Sequence, residues 1–558
     1  MDRKKLLALT NTSIGIFMAF ANYNMIIIAL PAIFKGLSFN PTSPDSLGYL
    51  IWVILGYMVV TASLVVTFGR ISDLKGRARL YTIGFLIFAI ASALLASITS
   101  TGNLGVMEMI IFRLLQGVGG GLLMVNSTAV LTDYFDRREL GKALGLNQVA
   151  GLVGGVAGLI IGGILSIYNW RYIFIFSAVV GIIGTIWSAL TLKDIQKPIK
   201  RSIDVIGNTL FALGITILLI SVTYGLLPYN NQPLGWSNPW VIAGILVSVG
   251  VISSFVFIER KVKDPMFDLS LFKNRDFSTS NTANMIASLA RQGILLMLLV
   301  LLQGIWLPLH GVPYCDTPFW AGIYLIPNVL GFAVFGPISG ILSDRYGGKM
   351  LTSLGLTISG IGFLLLTLLP YNFNLYEFFA ITFIQGAGMG LFTAPNTADM
   401  MASVPINKRG AASGMRAALQ NTASAFSVVF YFSILISAMT GSLDSSISSA
   451  LSSYGIHVNA SIPASVVIFS ALLGYDPLSA FSSSLPHSIA VKIDNPQFFV
   501  ATIAPSFMSS LRLTLYISAG LLFMSALISA FRESGRVGRL GNNTQGKQET
   551  ERAIAKGS

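Results

Sequence analysis

Four arginines, Arg113, Arg291, Arg416 and Arg512, sit inside apolar runs long enough to cross a bilayer. A guanidinium at the centre of a membrane helix costs ~2.5–3.5 kcal/mol on insertion scales, so such a residue normally faces a cavity or a bonding partner. Arg113 and Arg291 lie deep in their runs. Arg416 and Arg512 are nearer run ends, where a long side chain can snorkel. Amides accompany them: Asn22 and Asn24 in the first run, Gln116 just after Arg113, and Gln292 beside Arg291. Asp399 closes the run before that of Arg416 and falls near it if the two spans are antiparallel neighbours. Asn22, Asn24, Arg113, Gln116, Arg291, Gln292, Asp399 and Arg416 are therefore the candidates for binding and coupling. Further amides (Asn126, Asn147, Gln148, Gln303, Asn328, Asn396, Gln420, Asn421) are wall candidates. More cations than anions favours neutral, zwitterionic or anionic ligands over lipophilic cations. Covalent or metal chemistry has no such support. The histidines His310, His457 and His487 are scattered, Cys315 is the one cysteine, and no Gly-x4-Gly-Lys-Ser/Thr loop is present for ATP hydrolysis. The residue pattern calls for no catalytic residue, metal or cofactor.

The elements that must position these residues are membrane helices. The chain has 558 residues, 53% hydrophobic and 11% charged, with mean hydropathy +0.72. Fourteen apolar runs, from 10–34 to 510–531, are too long and too uniformly apolar for barrel strands. The first continues to Pro31, beyond a signal-peptide core, and reads as an uncleaved span. The N-terminus, the loops after even-numbered spans and the C-terminal tail hold 29 Lys and Arg, against 3 in the other loops. Both termini are thus expected in the cytoplasm. The net charge of +13 lies in these loops and not on one face, which argues against nucleic acid.

Gly69-Arg-Ile-Ser-Asp73-Leu-Lys-Gly76-Arg77 returns 271 residues later as Gly340-Ile-Leu-Ser-Asp344-Arg-Tyr-Gly347. Gln116-Gly-x-Gly-x-Gly returns as Gln385-Gly-x-Gly-x-Gly at an offset of 269. The near-constant register predicts an all-α polytopic protein of two six-helix halves, 1–192 and 278–531. A two-helix insertion with a charged connector (193–277) lies between them. The second half carries an external loop at 439–509, and a polar tail at 532–558 reads as disordered. Within the loop, Val466–Leu473 is too short to span and reads as a surface or re-entrant helix. Such repeats characterise secondary transporters that bind substrate near the midplane between halves. In the turns, Gly69, Asp73, Gly76 and Arg77, with Gly340, Asp344 and Gly347, form a candidate conformational latch, its Asp suited to capping a helix N-terminus. Span 5 carries Gly151, Gly154, Gly155, Gly158, Gly162 and Gly163, a seam that allows close helix approach and could close the cavity to one side.

In this order and on these spans, the motifs resemble the major facilitator superfamily, in its fourteen-span drug:proton antiporter type. Gly69–Arg79 is similar to its loop motif, Arg113-Leu-Leu-Gln116-Gly117 to its span-4 motif, and Gly151–Gly163 to its antiporter motif. The chain departs from the family pattern at three places: Asn22 stands where an acid is usual, Leu159 where a proline is usual, and Ser177 where an asparagine is usual. The resemblance implies a monomeric plasma-membrane transporter. It would export small amphipathic molecules or drugs by alternating access, with protons as counter-substrate. Uniport or import of a small metabolite or organic anion is the alternative within transport, and a transporter-derived sensor or scaffold the alternative outside it. The partners implied are a small-molecule substrate and the lipid bilayer.

Overall fold

The computed structural model describes residues 2–39, 46–135, 137–195, 204–230, 232–262, 265, 267–405, 408–452, 462–475, 477 and 496–532, with the side chains of 47, 137, 138, 140–142, 205, 344–346, 409, 410 and 496 left aside. Among them are fourteen helices long and apolar enough to cross a membrane, and no β-strand. The first eight are α1 (Arg3–Gly36), α2 (Ser46–Lys75), α3 (Arg77–Ala96), α4 (Gly102–Tyr134), α5 (Arg137–Tyr168), α6 (Arg171–Thr191), α7 (Val205–Tyr224) and α8 (Pro239–Glu259). Then come α9 (Arg275–Val300, prolonged by a π turn over Leu301–Trp306), α10 (Thr317–Tyr324 and Ile326–Tyr346), α11 (Gly348–Thr367), α12 (Leu375–Ala402) and α13 (Arg409–Ser452). A short α14 (Ala464–Leu473) precedes α15 (Pro496–Ala530), the fourteenth span. Fourteen crossings put both chain ends on the side where α1 begins, called here the terminal end.

Local chemistry sets the breaks. Asn238, Asn274 and Asn374 accept hydrogen bonds from the first free amides of α8, α9 and α12, the usual work of an N-cap asparagine. Between α2 and α3, and between α10 and α11, the chain reverses through Gly76 (φ 102°) and Gly347 (φ 83°). A side chain is disfavoured in that region, so both copies of the repeated motif end on glycine.

The packing is duplicated. In the first half α1 packs on α4, α5 and α6, α3 on α4 and α6, and α2 on α4. In the second, α9 packs on α12, α13 and α15, α11 on α12 and α15, and α10 on α12. Each pair of one set maps onto a pair of the other in the register of the repeat. Two main contacts join the halves, α2 with α13 and α5 with α10, and they too exchange under the repeat; α1 also touches α10 and α14, and α4 touches α13. The inserted α7 lies on α2 and α13, with α8 outside it.

The loop 439–509 is shorter than its sequence suggests. α13 continues to Ser452 and α15 begins at Pro496. Leu443, Ile447 and Leu451 recur at helical spacing and are all buried, so the apolar stripe of α13 outlasts the serine-rich composition. Of the tail read as disordered, Arg532 is described and buried; the rest lies outside the described residues, as does the Asp344 side chain.

Candidate functional site

Arg113 is the largest fully buried side chain. Its Nη1 donates to Asn22 Oδ1 at 2.8 Å and to Gln116 Oε1 at 2.7 Å. Gln116 Nε2 donates onward to Ser92 Oγ at 2.7 Å, and Asn22 Nδ2 to Ser177 Oγ at 3.1 Å. The guanidinium carbon sits 4.7 Å from the centroid of the Tyr57 ring, itself stacked with Tyr23 at 6.4 Å. One charge is therefore held by two amides and an aromatic face, with no carboxylate in the set. The second half keeps the neutral frame: Gln385 Nε2 donates to Ser359 Oγ at 3.2 Å, while Gln385 Oε1 accepts from Asn328 Nδ2. An amide from α10 thus stands where the first half uses a guanidinium: at Thr382, the repeat position of Arg113, the hydroxyl bonds only within its own helix, while the carbonyl accepts from Asn328 Nδ2 at 3.1 Å.

Between the halves lies a narrow cavity of ≈ 20 Å³, room for about one water molecule, lined by Asn24, Ile27, Leu159, Gln292, Leu295, Leu296, Leu299 and Leu325. Two amides and six aliphatic side chains make an uncharged, amphipathic lining. Asn24 Nδ2 also donates to Gly155 O at 2.8 Å. Arg113 and Arg291 do not reach this cavity: Arg113 points into the first half, behind Tyr23 and Tyr57, and Arg291 is half-buried one residue before the lining Gln292. Arg416 is buried nearer the terminal end, its Nε without a hydrogen-bond partner. Arg512 donates to Leu369 O at 3.1 Å. Other wall candidates are committed elsewhere: Asn126 donates to Leu122 O of its own helix, and Asn396 joins α12 to α9 through Ser280 O.

Asp399 does not meet Arg416. Its Oδ2 accepts from Arg532 Nη1 at 3.3 Å, just past α15, and Arg532 also bonds Asn396. The two helices α12 and α13 touch little, whereas the Arg532 side chain, just past α15, reaches across to α12. Asp399 also overhangs the start of α11: a Cβ on Gly348 would come 2.0 Å from its Oδ2. It belongs to the terminal-end network.

That network also corrects the role of Asp73. α2 runs on to Lys75, so Asp73 lies in its last turn and not at a helix start. Asp194, just beyond α6, caps α3 instead, accepting from Ala78 N at 2.8 Å. Its Oδ2 would lie 2.2 Å from a Cβ on Gly76. Asp73 pairs with Arg77 at 2.8 Å, and Arg77 reaches Asp133 of α4 at 2.5 Å and Thr132 Oγ1 at 3.0 Å. Gly69 rests against Val125, while Gly340 is open.

The glycines of α5 divide by face. A Cβ on Gly154 would stand 2.4 Å from Phe17 O, one on Gly158 2.3 Å from Ala21 O, and one on Gly162 2.7 Å from Met25 Cα, all on α1. Gly151 meets Ile16 and Phe20 of the same helix, and Gly155 meets Asn24. Gly163 turns to the other half, 2.7 Å from Phe319 Cα of α10, and the backbone of Leu159 lies 3.2 Å from a Cβ on Gly322. Most of the seam thus welds α1 to α5 within one half, and only its last turn closes against the other.

The profile of the Major Facilitator Superfamily matches residues 12–427. The chain belongs to this superfamily of membrane transporters. It is 28% identical over 443 residues to the riboflavin transporter RibZ of Clostridioides difficile, covering 78% of this chain and 90% of that protein. It is 29% identical over 391 residues to the multidrug transporter protein MdtP of Bacillus subtilis, covering 70% of this chain and 67% of that one. Among solved structures, a bacterial homolog of the human lysosomal transporter Spinster, in an inward-facing conformation, superposes with TM-score 0.57 at 14% identity, over 95% of this chain and 98% of that one. The human organic anion transporter MFSD10 gives 0.55 at 11% identity, over 95% and 100%. The fold is a major facilitator fold of two six-helix halves with two inserted helices, and the chain is a multi-pass transporter, not an enzyme. Sequence missed the separation of Arg113 from the cavity and the Arg532 partner of Asp399.

Proposed function

We propose that this chain is a secondary transporter that moves neutral or anionic amphipathic small molecules outward across the plasma membrane by alternating access, working as a monomer with both termini in the cytoplasm. The observation that carries the substrate class is the carboxylate-free core: an uncharged cavity of Asn24, Gln292 and leucines, backed by Arg113 among amides. A site for lipophilic cations needs a buried anion, and none of these residues supplies one. The relative named a riboflavin transporter makes a neutral, amphipathic ring system a natural first probe. The names of the multidrug relatives and the α1–α5 glycine seam support export, and the excess of Lys and Arg at the terminal end supports the orientation. The Arg77 and Arg532 networks act as the latch, holding the terminal end closed until the halves rock.

A second reading concerns energy. Asn22 occupies the position of the family's usual acid and is committed to Arg113 and Ser177. That favours a cycle in which the flux follows the substrate gradient and not a proton gradient. Counterflow of riboflavin, fluorescein and ethidium into proteoliposomes, with and without a pH gradient, tests both readings. Uptake of riboflavin or fluorescein, unchanged by the gradient, supports them. Uptake of ethidium alone refutes the substrate class, and gradient-driven accumulation refutes the uncoupled cycle.

A further inference from the structure

α14 is ten residues long and spans about 15 Å at 1.5 Å per residue, half a bilayer. Nine of its ten side chains are buried. A helix lying on a membrane surface keeps a wet face, whereas one apolar all round is enclosed by protein. α14 is therefore enclosed by protein and does not lie against lipid or water on an open face.

Three neighbours enclose it. On the α13 side, Phe469 stacks on Phe432 with centroids 5.4 Å apart and planes within 5°. On the α9 side, a Cβ on Gly304 would lie 3.1 Å from the Ala471 carbonyl carbon, so the π turn is pressed onto α14. The helix then stops at Gly474 (φ 74°), and Tyr475 Oη reaches Phe39 O, just beyond α1, at 3.5 Å. The same π turn sends Gln303 Nε2 to Ile28 O of α1 at 3.3 Å. α14 is thus wedged at the end of the molecule opposite the termini, built onto the second half and touching the end of α1, with polar contacts to the first half supplied by the flanking Tyr475 and Gln303. Buried polar atoms there are left unmatched: Ser465 Oγ, Ser470 Oγ and Gln303 Oε1 have no hydrogen-bond partner among the described residues. A permanently packed core seldom leaves such groups dry, and π turns recur at functional sites.

We infer that α14 is a plug carried by the second half that seals the outer mouth of the substrate path by closing on α1. It parts from α1, and not from α9 or α13, each time the halves open outward. The assignment to the outer side rests on the orientation proposed above. The native Cys315, exposed in the loop that follows the π turn of α9, reports that orientation separately by its labelling with an impermeant maleimide from outside intact cells.

The test uses the full chain with Cys315→Ser and two engineered thiol pairs, each bridged by a short bifunctional thiol reagent. Bridging Phe39→Cys to Tyr475→Cys is expected to cut riboflavin counterflow at least about tenfold, with recovery when the bridge is cleaved. Bridging Phe432→Cys to Phe469→Cys is expected to change it less than about twofold. Unchanged flux with the first bridge, or loss with both, overturns the inference. Ser470→Cys gives a reading that needs no known substrate and little change in volume. Labelling from outside that rises at least about threefold when the halves are trapped outward by bridging the terminal-end pair α2–α13 supports the plug. Equal, negligible labelling in both states overturns it.

Discussion

Replacing Gly158 by alanine tests whether the seam is a weld. Helix propensity alone favours the change by ~1 kcal/mol. Against it, the new Cβ would lie 2.3 Å from Ala21 O and 2.7 Å from Ala21 Cα. These are backbone atoms, so no rotamer change relieves the clash and α1 must move away by about 1 Å. Overpacking of this kind costs ~1–3 kcal/mol, and rigid obstacles put it at the upper end. The net expectation is a loss of ~2 kcal/mol. Gly145, on the same helix, has nothing within 4 Å of where an added methyl would stand, so Gly145→Ala should gain up to ~1 kcal/mol. The two variants are compared in one detergent by apparent unfolding temperature at a fixed scan rate, since membrane-protein unfolding is commonly irreversible. Gly158→Ala should unfold below wild type and Gly145→Ala at or above it. Equal temperatures for the two would refute the close-approach argument.

Asn22→Asp would place a carboxylate 2.8 Å from the Arg113 guanidinium, and substrate flux measured from pH 5 to 8 should then depend on pH more steeply than that of the wild type, for which an uncoupled cycle is proposed. Arg77→Ala removes the partner of Asp73 and of the buried Asp133; it should cost ~1–3 kcal/mol through the stranded acid and raise thiol accessibility at the terminal end. Asp268 of the connector is pushed up by burial, but Lys408 at 2.6 Å and the Ser270 hydrogen bonds outweigh this and hold its carboxyl below the ordinary value. A depressed acid stabilises the fold above its unfolded value of about 3.9 and loses that contribution as pH falls through the lower folded value. Lys408→Met should therefore lower the unfolding temperature at pH 7, by under ~1 kcal/mol for so exposed a lysine, and the difference from wild type should vanish well below pH 4.

Much of the architecture was legible because duplication leaves marks that burial cannot erase. Gly76 and Gly347 must take positive φ, so they persist and fix the register. Span counting succeeded because lipid demands long apolar runs and the loops carry the charge. The site was less legible. Asn22 and Ser177 each looked like an isolated departure, yet they bond each other and Asn22 bonds Arg113; nothing in spacing reveals that spans 1, 4 and 6 converge there. Asp399 found Arg532 and not Arg416, since partner choice depends on helix tilt and rotation. α14 was misjudged in part because length argues for a surface helix while its composition, apolar on every side, argues for enclosure.

The two main contacts that join the halves are related by the repeat but differ in kind. At α5–α10, Gly163 and Gly322 let backbones meet. At α2–α13, side chains such as Val65, Val66, Met415 and Ala418 fill the gap. In the alternating-access cycle proposed above, a symmetric rocker would rest equally in its two open forms, whereas contacts that differ in kind need not grip equally. Each 1.4 kcal/mol by which one contact outweighs the other tilts the resting ratio about tenfold. Substrate on the disfavoured side then meets few receptive molecules, and its apparent affinity there falls by the same factor. Direction of net flow stays with the gradients, but the speed of loading from each face is written into those glycines.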